Sequence, residues 1–186
     1  MSVAVDAFAG LSRLTALFLR SSLLNRISAD TFTGLASLTS LDLRFNRIST
    51  IAADTFAGFS NLTSLYLDGN RIPSVASDTF TGLSHLTTLD LRVNRISTVA
   101  ADAFAGLTRL VSLVFRFNRI SLIVDDTFAG LSSLTFLDLS RNPTVSISCG
   151  WGIDARVTTT IIFPVGHTLQ SICPTPTSAP TSAPTS

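Results

Sequence analysis

The sequence predicts an α/β solenoid, an arc with a parallel sheet on its concave face and short helices or turns on its convex face. Three observations predict it. The stretch Leu38-Thr-Ser-Leu41-Asp-Leu43-Arg-Phe-Asn46-Arg-Ile48 has close copies beginning at Leu62, Leu86 and Leu110 and weaker ones at Leu14 and Leu134, each 24 residues after the last. Six columns of residues recur at that same spacing. Within each copy, apolar and polar residues alternate with a period of two, as in a strand with one buried face. A fixed period in this range marks stacked supersecondary units. Such units cannot bury their apolar side alone, so stability accrues turn by turn rather than around one central core.

The columns explain each part of a turn. Phe8, Phe32, Phe56, Phe80, Phe104 and Phe128 place one ring in every turn, a continuous apolar spine. Burying each ring contributes about 1.5–3 kcal/mol. Gly10, Gly34, Gly58, Gly82, Gly106 and Gly130 follow two residues later, where a tight reversal or a close approach excludes a Cβ. Asp6, Asp30, Asp54, Asp78, Asp102 and Asp126 precede the rings by two residues. There a carboxylate is expected to cap the first turn of a short helix. Leu17 and Leu19, Leu41 and Leu43, and their successors to Leu137 and Leu139 point inward from the strands, with Phe115 replacing one Leu. Asn46, Asn70, Asn94, Asn118 and Asn142 form the fifth column, and Ile48, Ile72, Ile96 and Ile120 the sixth. The first turn departs, with Ser22 in place of Asn. Its Asn25-Arg26-Ile27 reads as the usual triplet displaced by three residues, so this turn is expected to be the least regular.

These motifs resemble the leucine-rich repeat family over roughly the first three quarters of the chain. The type is the extracellular, 24-residue one found in Toll-like receptors, small leucine-rich proteoglycans and variable lymphocyte receptors. The resemblance implies a right-handed solenoid. It implies that each column Asn sits inside and bonds backbone groups of adjacent turns, which suits a buried amide that must be satisfied. It also implies a recognition role, with protein or glycoconjugate ligands in adhesion, innate sensing or receptor signalling.

Residues 1–142 are read as the solenoid, about six repeats with the first begun mid-repeat. Val3, Asp6 and Phe8 align with Val75, Asp78 and Phe80, which leaves no room for an N-terminal cap. The expectation is a fragment, or a late start. Residues 143–173 are read as a β-rich capping segment. Asn142-Pro143, Cys149 and Trp151 are only fragments of the Cys-rich cap that ends many extracellular relatives, whereas Val157–Phe163 is β-branched and expected to be a strand that pairs with the last repeat. Residues 174–186, rich in Pro, Thr and Ser, cannot bury a core and are expected to be disordered, with the composition of an O-glycosylated stalk. Residues 27–62 match 75–110 closely, so two repeats were duplicated together.

Charge and composition narrow the function. The net charge is +1, too little for a basic field that attracts nucleic acid or anionic lipid, so neither is predicted as a partner. No apolar run is long enough for a membrane helix. No signal peptide is visible, since Asp6 and Arg13 interrupt any apolar leader. Cys149 and Cys173 fit one disulfide in an oxidising compartment, or two free thiols in a cytosolic chain. Their spacing does not fit zinc, and one Asp per turn does not build a calcium cage, so no metal and no cofactor is predicted. His85 and His167 share no motif with a nucleophile, and the chain is not expected to be an enzyme.

The outward strand residues are the candidate site. Phe18, Asp42, Tyr66, Asp90, Val114 and Asp138 form the central column. Arg20, Arg44, Asp68, Arg92, Arg116 and Ser140 run on one side of it, and Ala16, Ser40, Ser64, Thr88, Ser112 and Phe136 on the other. Aromatics and Arg are the types enriched at interaction hot spots. Phe18, Tyr66, Val114 and Phe136 are the expected apolar anchors, and Arg44, Arg92 and Arg116 the charged contacts. The plainer alternative is lateral Asp–Arg pairing that only solubilises the sheet. Phe45 and Phe117 add apolar area at the rim, beside a basic edge of Arg47, Arg71, Arg95 and Arg119. Asn61-Leu62-Thr63 is an N-glycosylation sequon expected near the surface. The chain is therefore expected at the cell surface or outside the cell, as a recognition module. A structural or matrix protein that self-associates is the alternative.

Overall fold

The computed structural model describes residues 3–4, 7–143, 146–147, 150, 152–153 and 160–165. Within them the 24-residue spacing becomes a seven-stranded parallel sheet whose strand order follows the chain. The strands are Ala16–Phe18, Ser40–Asp42, Ser64–Tyr66, Thr88–Asp90, Ser112–Val114, Phe136–Asp138 and Thr160–Ile162. Leu17, Leu41, Leu65, Leu89, Leu113, Leu137 and Ile161 lie side by side in register. The last strand falls within the β-branched stretch Val157–Phe163 and joins the edge of the final repeat, as its composition predicts.

The inward columns form one continuous core. From Leu38 to Leu139 the strand and pre-strand leucines are nearly all fully buried, as are Ile48, Ile96 and Ile120. The ring column stacks: Phe56–Phe80, Phe80–Phe104 and Phe104–Phe128 have centroids 6.2, 5.9 and 5.8 Å apart, with planes within 15°. Between Phe32 and Phe56 the stack passes through Phe59, which replaces the Leu of other turns and lies 5.6 and 6.3 Å from the two rings.

Each column Asn behaves as the resemblance implies. Asn94 Nδ2 donates to the carbonyls of Leu67 and Leu91 at 3.0 and 3.1 Å, and its Oδ1 accepts the Ile72 N–H at 3.0 Å. Asn46, Asn70, Asn118 and Asn142 repeat this geometry. One amide thus satisfies three backbone groups of two turns, which the burial of that loop demands.

The convex side meets the expectation of short helices or turns almost wholly with turns, and it corrects the role expected of the Asp column. Among the described residues its only helix is a four-residue 3-10 turn, Ala29–Phe32. The rest is a chain of reversals closed by bonds three residues back, such as Ala57 N–H to Asp54 and Phe59 N–H to Phe56. The segment is too short, and too rich in Gly, Asp and Thr, for an α-helical nucleus to pay its entropy. Among the described residues the Asp column makes no capping bond. Asp54, Asp102 and Asp126 instead occupy left-handed backbone, at φ 58, 55 and 58°, which Asp tolerates better than most residues. The capping bonds come from Thr, with Thr31 and Thr79 Oγ1 accepting the Ser28 and Ala76 N–H groups at 2.8 and 3.0 Å. Gly82 has φ 90°, and a Cβ there would lie 2.7 Å from the Ala57 backbone.

The first turn keeps its register. Ile27 pairs with Ile51, so Asn25-Arg26-Ile27 is not a displaced triplet. Leu24 is buried in the Ile column, and Ser22 leaves this turn without a column amide. Ile27, Ile51, Val75, Val99, Ile123 and Ile147 make a second inward column on the far wall, tied by two-residue bridges. The bridges pair 26–27 with 50–51 and 74–75 with 98–99, and Pro73, which lacks an N–H, sits between these pairs.

Candidate functional site

The strand register brings the predicted surface residues onto one face. Asp42 lies between Phe18 and Tyr66, and Asp90 between Tyr66 and Val114. Their exposure differs from expectation. Phe18 is 68% exposed, and Tyr66, Val114 and Phe136 are half-buried. Asp42, Asp68, Asp90 and Asp138 are buried, at 2–5% exposure.

Local hydrogen bonding explains three of them. The Oδ1 atoms of Asp42, Asp90 and Asp138 accept the backbone N–H two residues on, from Arg44, Arg92 and Ser140, at 3.0, 3.0 and 2.9 Å. This Asx-type turn ends each strand. These carboxylates therefore hold backbone as well as charge. The pattern Leu-Asp-Leu, with Asp two residues before the chain turns, was the available signal.

The side chains beside them follow from the neighbouring turn. Arg44 Nε donates to both oxygens of Asp42 at 2.9 Å, and its guanidinium stands 5.0 Å from the Tyr66 ring centre. Burial pushes the Asp42 carboxyl up, but the Arg44 bonds and charge outweigh it and hold the group below its ordinary range. Arg92 reaches Asp90 through one nitrogen at 2.9 Å. There burial prevails over Arg92, and the Asp90 carboxyl is pushed up. Lateral Asp–Arg pairing, the plainer alternative, is thus present at two strands.

Asp68 stands in the Arg column. Its Oδ1 is buried with no hydrogen-bond partner, and it has no ion pair among the described residues. Burial raises its carboxyl above the ordinary range, against the pull of Arg92 and Arg44.

Arg20 and Arg116 turn to the rim, 4.9 and 5.0 Å from the ring centres of Phe45 and Phe117. Phe45, Val93 and Phe117 are about half exposed and hold left-handed backbone at φ 55, 54 and 58°. Gly69 occupies the same position one turn after Phe45, and the Phe45 ring covers the space a Cβ would take there. Arg47, Arg71, Arg95 and Arg119 are exposed. Asn61 is exposed and donates to the Ala36 carbonyl at 3.1 Å. His85 is exposed beside Ser84. Cys149, Cys173, His167 and the tail lie outside the described residues. No described helix is long and apolar enough to cross a membrane.

Comparison with known proteins adds three findings. The chain matches the family model described as Leucine rich repeat over residues 2–48, 36–96, 60–120 and 84–143. No curated protein matches it. Among solved structures it is similar to the crystal structure of a TLR13–ssRNA13 complex, at 34% identity and a TM-score of 0.69. That match covers 72% of this chain and 20% of that one, so this chain spans about a fifth of its length.

Proposed function

The chain belongs to the leucine-rich repeat family, and we propose that it is the recognition part of a secreted or cell-surface protein, binding a protein or glycoconjugate through its concave sheet. One observation carries this reading. Phe18, Tyr66, Val114 and Phe136 keep apolar surface on an open sheet, set among Arg side chains held in defined places. Rigid aromatic and Arg groups lose little entropy on contact, which is why they dominate interaction energies. The mechanism is complementary contact rather than chemistry.

A ligand screen on the full chain tests this. Tyr66→Ala and Arg92→Ala should each weaken a hit by more than about 1 kcal/mol, and Asp54→Ala on the convex side should not. Loss of binding through the convex change alone would overturn the assignment. RNA is one arm of the screen, because the similar complex contains it. A tight, salt-sensitive RNA complex would overturn the restriction to protein and glycoconjugate. Export predicts a glycan on Asn61 and a Cys149–Cys173 disulfide, both readable by mass spectrometry of secreted material. The competing reading, a self-associating structural protein, is favoured by Phe18, Leu11 and Leu23, which expose apolar surface around the first strand. Light scattering showing a monomer at high concentration would remove it.

A further inference from the structure

The centre of the concave face holds a buried carboxylate oxygen that its own side chains do not satisfy. Three carboxylates, Asp42, Asp68 and Asp90, lie on three successive turns with two guanidinium groups, Arg44 and Arg92. Each guanidinium is committed to the carboxylate two residues before it. Arg20 and Arg116, the next cations along the row, lie over Phe45 and Phe117 instead. Asp68 is left without an ion pair among the described residues, and its Oδ1 is buried and unpartnered. Asp68 also opposes Asp90 and Asp42, since each carboxylate disfavours ionisation of its neighbour. A buried acceptor without a donor costs free energy that a ligand supplying the donor recovers.

Arg44 shows what such a ligand looks like. It meets a carboxylate through two nitrogens while lying on the Tyr66 ring. On the other side of Tyr66 no such arrangement exists. The Arg92 guanidinium reaches Asp90 through one nitrogen, its side chain is 48% exposed, and the strand beyond it offers Val114 rather than a ring.

We propose that the centre of the concave face is a slot for one basic side chain, lysine or arginine, presented by a partner protein and seated between Asp68 and Asp90 beside Tyr66. This rests on the concave-face reading above and narrows it to a partner with an exposed cation at the middle of its contact surface. The Arg92 guanidinium, half exposed beside Asp90, shares that carboxylate with the incoming cation and keeps its outer face for the same partner.

The test follows backbone amide shifts of Tyr66, Gly69 and Asp90 while N-acetyl-arginine amide or N-acetyl-lysine amide is added to the full chain. N-acetyl-glutamate amide and N-acetyl-tyrosine amide are the comparison probes. A saturable shift at these amides with either cationic probe is expected. Asp68→Asn, which keeps the shape and removes the charge, should weaken it at least fivefold, and Asp54→Asn on the convex side should leave it unchanged. Shifts that do not saturate, or that survive Asp68→Asn, overturn the slot. If only the tyrosine or glutamate probe moves these amides, the slot is wrong and the concave face remains a recognition surface. If no probe moves any concave amide, both readings fail.

Discussion

Leu41-Asp-Leu-Arg44 and Leu89-Asp-Leu-Arg92 are the same four residues on equivalent strands of a duplicated pair of repeats. Their backbones agree, yet their side chains do not. Arg44 grips Asp42 with two nitrogens and lies on a ring; Arg92 touches Asp90 with one. Asp42 is held below the ordinary carboxyl range and Asp90 above it. The difference lies one strand away, where the first copy faces Tyr66 and the second Val114. In a solenoid, the next turn completes the environment of each residue, so identical segments acquire different chemistry from their neighbours.

Where the neighbours agree, the copies should agree too. Asn46→Ala and Asn94→Ala each orphan three backbone groups with matching geometry. Each should cost about 3 kcal/mol in chemical denaturation, and costs differing more than twofold would break the equivalence. Where the neighbours differ, the copies should part. Arg44→Ala strands a buried carboxylate and should cost about 2 kcal/mol, whereas Arg92→Ala removes a looser, more exposed contact and should cost under about 1 kcal/mol.

Asp68→Asn should stabilise the chain by about 1 kcal/mol at neutral pH, because it removes a buried charge that lacks a partner. The pH dependence gives the sign. The raised Asp68 and Asp90 carboxyls favour the fold when protonated, so their contribution is present below 3.8 and lost as pH rises through their folded values. Asp42 runs the other way: its contribution is present above 3.8 and lost as pH falls through its lower folded value. Asp68→Asn should therefore flatten the decline in stability above pH 3.8 and leave the acid limb intact. The smallest effect sharpens the comparison most. Val114→Tyr supplies the missing ring, and Arg92 should settle on it for a gain of about 0.5 kcal/mol.

The fold was legible because a stacked architecture writes its period into the sequence. Every turn repeats the same ring, amide and strand leucines, so the Phe, Asn and Leu columns revealed register and core directly. The last strand was legible from composition alone. Two structural roles were not. The Asp column reads as helix caps, but the segment after it is too short to form an α-helix, and Asp54, Asp102 and Asp126 take left-handed backbone there instead. The far-wall column from Ile27 to Ile147 is hard to separate in the sequence because it lies only three residues after the Ile column. On the candidate surface, alternation correctly placed the outward residues but could not assign their exposure. Asp42, Asp90 and Asp138 are buried because each folds back on its own backbone. Asp68 is singular because it replaces Arg in one column, a departure visible in the sequence whose consequence depends on the flanking Arg44 and Arg92.

The central claim is that the neighbouring turn, not the local segment, sets the chemistry of this face. Carboxyl carbon NMR titration of Asp42, Asp68 and Asp90 tests it most directly. The predicted result is Asp42 titrating below 3.8 with Asp68 and Asp90 above it. Asp42 and Asp90 titrating together, as their identical segments alone would dictate, would contradict it.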